Sequence, residues 1–257
     1  MNNIGQNWLL LRGLARESGH WGDFVSKLQR EFPQATINTL DLPGTGRFNN
    51  LPSPNTIENI VKFTREQALQ SGFLNQPVTL FALSLGGMVA WEWMKQYPQD
   101  VSASILVNTS LASISPFYQR LRWQSYGQFI RVLLAKSILA REMAIIRLVS
   151  NQNDENRQII AKDWAEICEQ RPISFLNSFL QIWAAARYKP DNQPVEKKVL
   201  LLNSFGDRLV SPTCTIALQK KFQLSIESHL TAGHDLSLDQ PDWVIEKLVF
   251  FISKKTV

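Results

Sequence analysis

A chain of 257 residues with 44% hydrophobic and 19% charged side chains carries enough apolar mass for a large core, which excludes a disordered or fibrous polymer. The net charge of +5 comes from basic residues that form no dense run interleaved with aromatics, which excludes nucleic acid as the expected partner. No apolar run reaches the ~18 residues that cross a bilayer, and the opening MNNIGQNWLLLRGLAR lacks the basic start and cleavage site of a signal peptide, so a cytoplasmic protein with no membrane span is expected.

In chain order, short apolar runs occur at 7–12, 35–40, 77–83, 102–108 and 197–203, with a more alternating one at 222–230. They are rich in Val, Ile, Leu and Thr and bounded by turn formers, as buried strands of a parallel sheet are. Between them, helical periodicity predicts helices at about 20–31, 56–72, 85–97, 212–221 and 240–253. Strands alternating with helices predict an α/β class with a mostly parallel, doubly wound sheet and ligands at the carboxyl ends of the strands.

Residues 112–188 interrupt that rhythm with helical patterning and many aromatics, among them Phe117, Trp123, Phe129, Trp164, Phe179 and Trp183. So long a stretch is no simple loop, and a helical cap is expected at 112–188, inserted between core segments 1–111 and 189–257. Cys168 and Cys214 lie in no metal-ligand spacing and read as two buried thiols.

The strongest local signal is FALSLGGM at 81–88, an apolar strand followed by Ser84 among small residues and then a helical pattern. A strand-to-helix turn of this kind lifts a serine hydroxyl above the sheet and sets it at a helix N-terminus. The first small position is Ala82 where G-x-S-x-G has glycine. A hydroxyl needs a base to take its proton and an acid to hold that base. Of the three histidines, His20 precedes a helix start and reads as a capping residue, and His229 lies inside a strand. His234 follows the last strand in the loop TAGHD, and Asp207 follows the strand VLLLN. A turn aspartate is commonly only a cap, but Ser84, Asp207 and His234 each fall at a strand's carboxyl end.

These stretches resemble the α/β-hydrolase superfamily over nearly the whole chain. LLLRGLARESGHW at 9–21 is similar to the oxyanion-loop segment, with Arg12 where the family most often has histidine, and DLPGTGRF at 41–48 is similar to the D-x-P-G-x-G loop. FALSLGGM resembles the nucleophile elbow, NSFGDRLVSP at 203–212 the acid loop, and AGHDLSLDQPDWV at 232–244 the histidine loop. The resemblance implies Ser84 as nucleophile, His234 as general base, Asp207 as its orienting acid, and the backbone amides of Leu14 and Leu85 as oxyanion hole. Arg12, Gly13 and Trp21 are the expected substrate contacts, Asp41 and Gly44 would be structural, and no metal or organic cofactor is implied.

The activity so implied is hydrolysis of a small-molecule carboxylic ester or thioester through an acyl-enzyme. Within 117–147, Arg120, Arg122, Arg131, Lys136, Arg141 and Arg147 face the single acid Glu142. Such a surface would steer an acidic acyl carrier protein, as in the pimeloyl-acyl carrier protein methyl ester esterases that the chain resembles, although a solvated helical face has the same composition. A carbon–carbon hydrolase or lyase, with Arg12 or Arg47 binding a carboxylate, and a slow-turnover ligand receptor stay open.

Overall fold

The computed structural model describes residues 4–253. The elements run β1 (Asn7–Leu11), α1 (Phe24–Glu31), β2 (Thr36–Leu40), α2 (Ile57–Gln70), β3 (Val78–Leu83), α3 (Leu85–Gln96) and β4 (Val101–Val107). Five helices follow without a strand: α4 (Phe117–Arg120), α5 (Tyr126–Leu133), α6 (Ile138–Val149), α7 (Asp154–Gln170) and α8 (Phe175–Arg187). Then come β5 (Lys198–Ser204), α9 (Pro212–Phe222), β6 (Ser225–His229), α10 (Leu236–Asp239) and α11 (Pro241–Ser253).

The strands form one six-stranded sheet, ordered β2-β1-β3-β4-β5-β6, with every neighbouring pair parallel. The apolar runs are unbroken because both faces are covered. Leu9, Leu11, Leu80, Ala82 and Leu201 turn to the side that holds α2, α3 and α9, while Trp8, Leu10, Phe81, Ile105 and Leu202 turn to α1 and α11. Period-two alternation between two apolar layers reads in sequence as continuous hydrophobicity.

Two expected boundaries move. The helical pattern from residue 20 is split by Gly22 at φ +53, so a short 3-10 turn at Ser18–Trp21 precedes α1. The last strand begins at Ser225, because Phe222 ends α9 and Gln223 takes the left-handed conformation of a helix stop.

The segment from α4 to α8 is anchored over the carboxyl end of the sheet. Arg122 Nη1 donates to the Asp207 carbonyl at 2.5 Å, and Asn177 Nδ2 donates to the carbonyls of Gly44, Asn49 and Leu51. Ile146, Ala161 and Trp164 make a small apolar core between α6 and α7.

Candidate active site

Ser84 occupies the step between β3 and α3 with φ +56 and ψ −112, a region that a side chain rarely enters. Its amide donates to the Val107 carbonyl at 2.8 Å and its own carbonyl accepts from Thr109 Oγ1 at 2.8 Å, which holds the strained turn. The two glycines that follow are required by packing. A Cβ on Gly86 would lie 2.6 Å from the carbonyl oxygens of Leu11 and Arg12, and one on Gly87 would lie 2.7 Å from Thr109. The start of α3 therefore sits directly against the end of β1, and Gly13 passes with its missing Cβ position 3.3 Å from that of Ser84. The amides of Leu14 and Leu85 have no acceptor among the described residues, and in Leu85 this is the usual state of a first helical N–H.

Asp207 and His234, both buried, meet through Oδ2 and Nδ1 at 2.7 Å. The other carboxylate oxygen accepts the amides of Leu209 and Val210 at 2.8 and 3.0 Å. A carboxylate only accepts, so Nδ1 carries the proton of this bond and Nε2 is the ring nitrogen free to take one. Ser84 and His234 line the same cavity, and no hydrogen bond joins the hydroxyl to the imidazole. Such contacts commonly tighten only around a reacting group.

Asn108, at φ +47 after β4, holds this arrangement from below. Its Nδ2 donates to the His234 carbonyl at 2.7 Å and its Oδ1 accepts from the Ser204 amide at 3.1 Å. Because β4 stands between β3 and β5, Asn108 at its end joins the end of β5 to the histidine loop on the side that faces Ser84. In sequence Asn108 is only the last residue of the run 102–108, and the bonds of its side chain to distant loops leave no local signal beyond asparagine's tolerance of left-handed backbone.

Arg12 lines the cavity, but its Nη2 is committed to Asp235 at 2.5 Å and its guanidinium lies 4.6 Å over the Trp21 ring. Nε and Nη1 of this buried arginine have no hydrogen-bond partner. Trp21, the other expected contact, is 4% exposed, packs on Phe24 and Phe81, and is not among the residues that line the cavity. Its role is to carry Arg12 from beneath. Gly13 does line the cavity, whereas Arg47 is exposed and lies outside it. Asp41 accepts from Ser18 and from the Arg47 amide, and Gly44 takes φ +86, so both serve the turn beneath the site.

The cavity encloses about 480 Å³. Apolar side chains of α5, α6 and α8 line one side of it, including Phe129, Leu133, Ile145, Phe175 and Phe179. A wider depression of about 830 Å³ lies at the amino ends of β1 and β2, away from Ser84.

One end of the cavity wall is polar. Arg16 Nη1 donates to Glu142 Oε2 at 2.7 Å and stands 2.9 Å from His20 Nε2, and Cys168 Sγ is 3.4 Å from Glu142 Oε1. His20, Glu142 and Cys168 bring possible metal ligands within 4.8 Å of one another. The Arg16 guanidinium already supplies the positive charge there. Burial, then Arg16 and Arg12, hold His20 well below its ordinary value of 6.5, and burial with Glu142 beside it pushes the Cys168 thiol up to about 11. The Glu17 amide faces His20 Nδ1 at 3.2 Å, so the expected capping role is realised within a larger buried network. His229 Nδ1 accepts the amides of Thr231 and Ala232, a structural use. Cys168 and Cys214 are both buried and free.

The chain is similar in fold to several solved structures. An esterase from Thermogutta terrifontis aligns with TM-score 0.73 at 17% identity, covering 97% of this chain and 90% of the other. The esterase RhEst1 from Rhodococcus sp. ECU1013 gives 0.73 at 14%, covering 97% and 91%, and an enol-lactonase from Burkholderia xenovorans LB400 gives 0.71 at 15%, covering 96% and 92%. No curated protein matches the sequence. The family model described as the alpha/beta hydrolase family matches residues 8–247, a span that takes in the serine turn, both acid and histidine loops and all of the sheet but its first residue, Asn7. The chain belongs to the alpha/beta hydrolase family.

Proposed function

We propose that the protein is a serine hydrolase that cleaves carboxylic esters or thioesters through an acyl-enzyme on Ser84. One observation carries this reading: a serine in strained backbone at a helix N-terminus shares a cavity with an imidazole whose Nδ1 is held by a buried carboxylate. In the reaction, Ser84 Oγ attacks the carbonyl carbon as His234 Nε2 takes its proton. The tetrahedral intermediate expels the alcohol or thiol, which leaves with that proton, and water then releases the acid by the same steps. The amides of Leu14 and Leu85 would hold the oxyanion, at roughly 3 kcal/mol for each donor. Written this way, the chemistry needs no metal or organic cofactor. Residues 112–188 act as a helical cap over a core formed by the described residues of 1–111 and 189–257. The apolar wall favours an acyl group as the cavity's occupant.

The Ser84→Ala variant tests the proposal. It should keep the fold by circular dichroism, lose labelling by a fluorophosphonate, and lose turnover of p-nitrophenyl esters. Unchanged turnover would overturn the assignment. Labelling of the parent protein with negligible ester turnover would favour carbon–carbon cleavage or a ligand receptor on the same scaffold. The acyl carrier protein expected at the basic stretch has fewer free cations to use than composition suggests. Arg120 is spent on the carbonyls of Ala185 and Ala186, and Arg122 on that of Asp207.

A further inference from the structure

The large apolar side chains that remain exposed are concentrated in two places. Of twenty among the described residues, eight fall within 117–139 and five within 175–183. Phe175 is 75% exposed and Leu134 is 73% exposed. Several of these side chains, Leu133, Phe175, Phe179 and Ile182, also line the cavity that holds Ser84. The exposed patch and the cavity wall are therefore one continuous apolar surface, and α5 and α8 form its rim. A patch of this kind marks a surface meant to be covered.

Charge narrows what covers it. Neither 117–141 nor 170–190 contains a single acidic residue. Arg131 and Lys136 are exposed within the patch, and Arg187 lies 5.2 Å over the Trp183 ring beside it. Apart from the buried Glu142 of α6, the acids between α4 and α8 lie on α7, which carries five against two bases. A second copy of the chain docking by its own patch would set Arg131 and Lys136 against like charges, since a two-fold interface pairs a surface with itself. An anionic surface satisfies them. The helix itself adds a further reason: α5 has eight residues and none is buried. A helix so short is marginal in water, and its stability must come from packing. Tyr126, Ile130 and Leu133 of α5 with Arg131 among them, and Leu134 and Lys136 just beyond its end, are the side chains that an interfacial segment lays into a bilayer boundary.

We propose that the rim formed by α5 and α8 docks the protein on an anionic phospholipid membrane. The apolar side chains of α5 enter the boundary between headgroups and acyl chains, Arg131 and Lys136 meet lipid phosphates, and the cavity opens toward the lipid. Docking of this kind stands whether or not Ser84 turns over an ester, so the two readings can fail separately.

The test uses Ser84→Ala protein, which cannot digest the vesicles, in co-sedimentation with phosphatidylcholine vesicles and with vesicles of equal parts phosphatidylcholine and phosphatidylglycerol. Binding should be about tenfold or more tighter to the anionic vesicles. It should be lost in Ile130→Asp/Leu134→Asp, whose side chains lie outside the cavity wall, and weakened in Arg131→Glu/Lys136→Glu. In an otherwise unaltered chain, the aspartate pair should leave turnover of a soluble ester unchanged. Absence of vesicle binding by folded protein would overturn the proposal, as would undiminished binding by the aspartate pair. So would self-association that disappears in the aspartate pair, which assigns the patch to a second copy, or capture of an acidic acyl carrier protein in preference to vesicles.

Discussion

The Arg12 guanidinium donates to the Asp235 carboxylate at 2.5 Å across 223 positions of sequence, with both side chains almost fully enclosed. The contact joins the loop after β1 to the residue that follows His234. Asp235 also accepts from Ser237 Oγ and the Leu238 amide at the start of α10, and its own amide donates to the Val149 carbonyl at 2.8 Å. Burial alone would raise the Asp235 carboxyl, but the charge and hydrogen bond of Arg12 reverse this and hold it below its ordinary value.

Removing one partner leaves the other charge buried without compensation, a cost of about 3–5 kcal/mol. The two single variants are not equivalent. In Arg12→Met the stranded carboxylate can take up a proton, whereas in Asp235→Asn the guanidinium cannot shed one. Denaturant unfolding at neutral pH should therefore find Asp235→Asn the less stable, with Arg12→Met/Asp235→Leu recovering much of either loss. Strictly additive effects in the double variant would show that the pair is not a unit.

Gly86→Ala tests the contact between the serine turn and the end of β1. The added methyl meets two backbone carbonyls at 2.6 Å, neither of which is the end of a flexible side chain. The expected outcome is about 1–3 kcal/mol of lost stability. Because Arg12 and Gly13 shift with those carbonyls, kcat on a soluble ester should fall more than KM rises.

His20 gives the fold a pH dependence of known sign. Its folded value lies below the ordinary 6.5 of an exposed imidazole, so the unfolded chain takes the proton first. Stability from this residue is complete above that ordinary value and is lost as pH falls from there toward the folded value. Thermal unfolding midpoints of the parent protein should drop more steeply below neutrality than those of His20→Gln. Parallel curves would sink this account.

Neither thiol should react in the native protein. Cys168 is pushed up to about 11 and Cys214 is also raised, in both cases mainly by burial, so little thiolate exists at neutral pH. Mass spectrometry after iodoacetamide treatment should find both unmodified when folded and both alkylated in denaturant.

The sheet was legible because each strand is a local apolar run between turn formers, and the placement of Ser84, Asp207 and His234 at strand ends was legible because each follows such a run. What escaped is what depends on distant partners. Arg12 resembles a free substrate-binding cation until Asp235 is seen beside it, and Arg16 gives no hint of Glu142, which is 126 positions away. Trp21 looks the same in sequence whether its ring faces a ligand or Phe81. The alternating pattern of 222–230 concealed a helix end, since Gln223 adopts the left-handed stop without the glycine that would have announced it.

Where α6 ends, the chain is fastened to the histidine loop. Besides the bond from Asp235 to Val149, Asn151 Nδ2 donates to the carbonyls of both Gly206 and Thr231, and a Cβ on Gly233 would stand 2.5 Å from the Val149 carbonyl. That wall of the enclosure cannot swing aside without dragging the imidazole with it. Of the helices that line the chamber, α5 alone contributes no buried side chain, so its stretch of wall has the least packing to hold it, and that lightly held stretch is remote from the fastening of the imidazole.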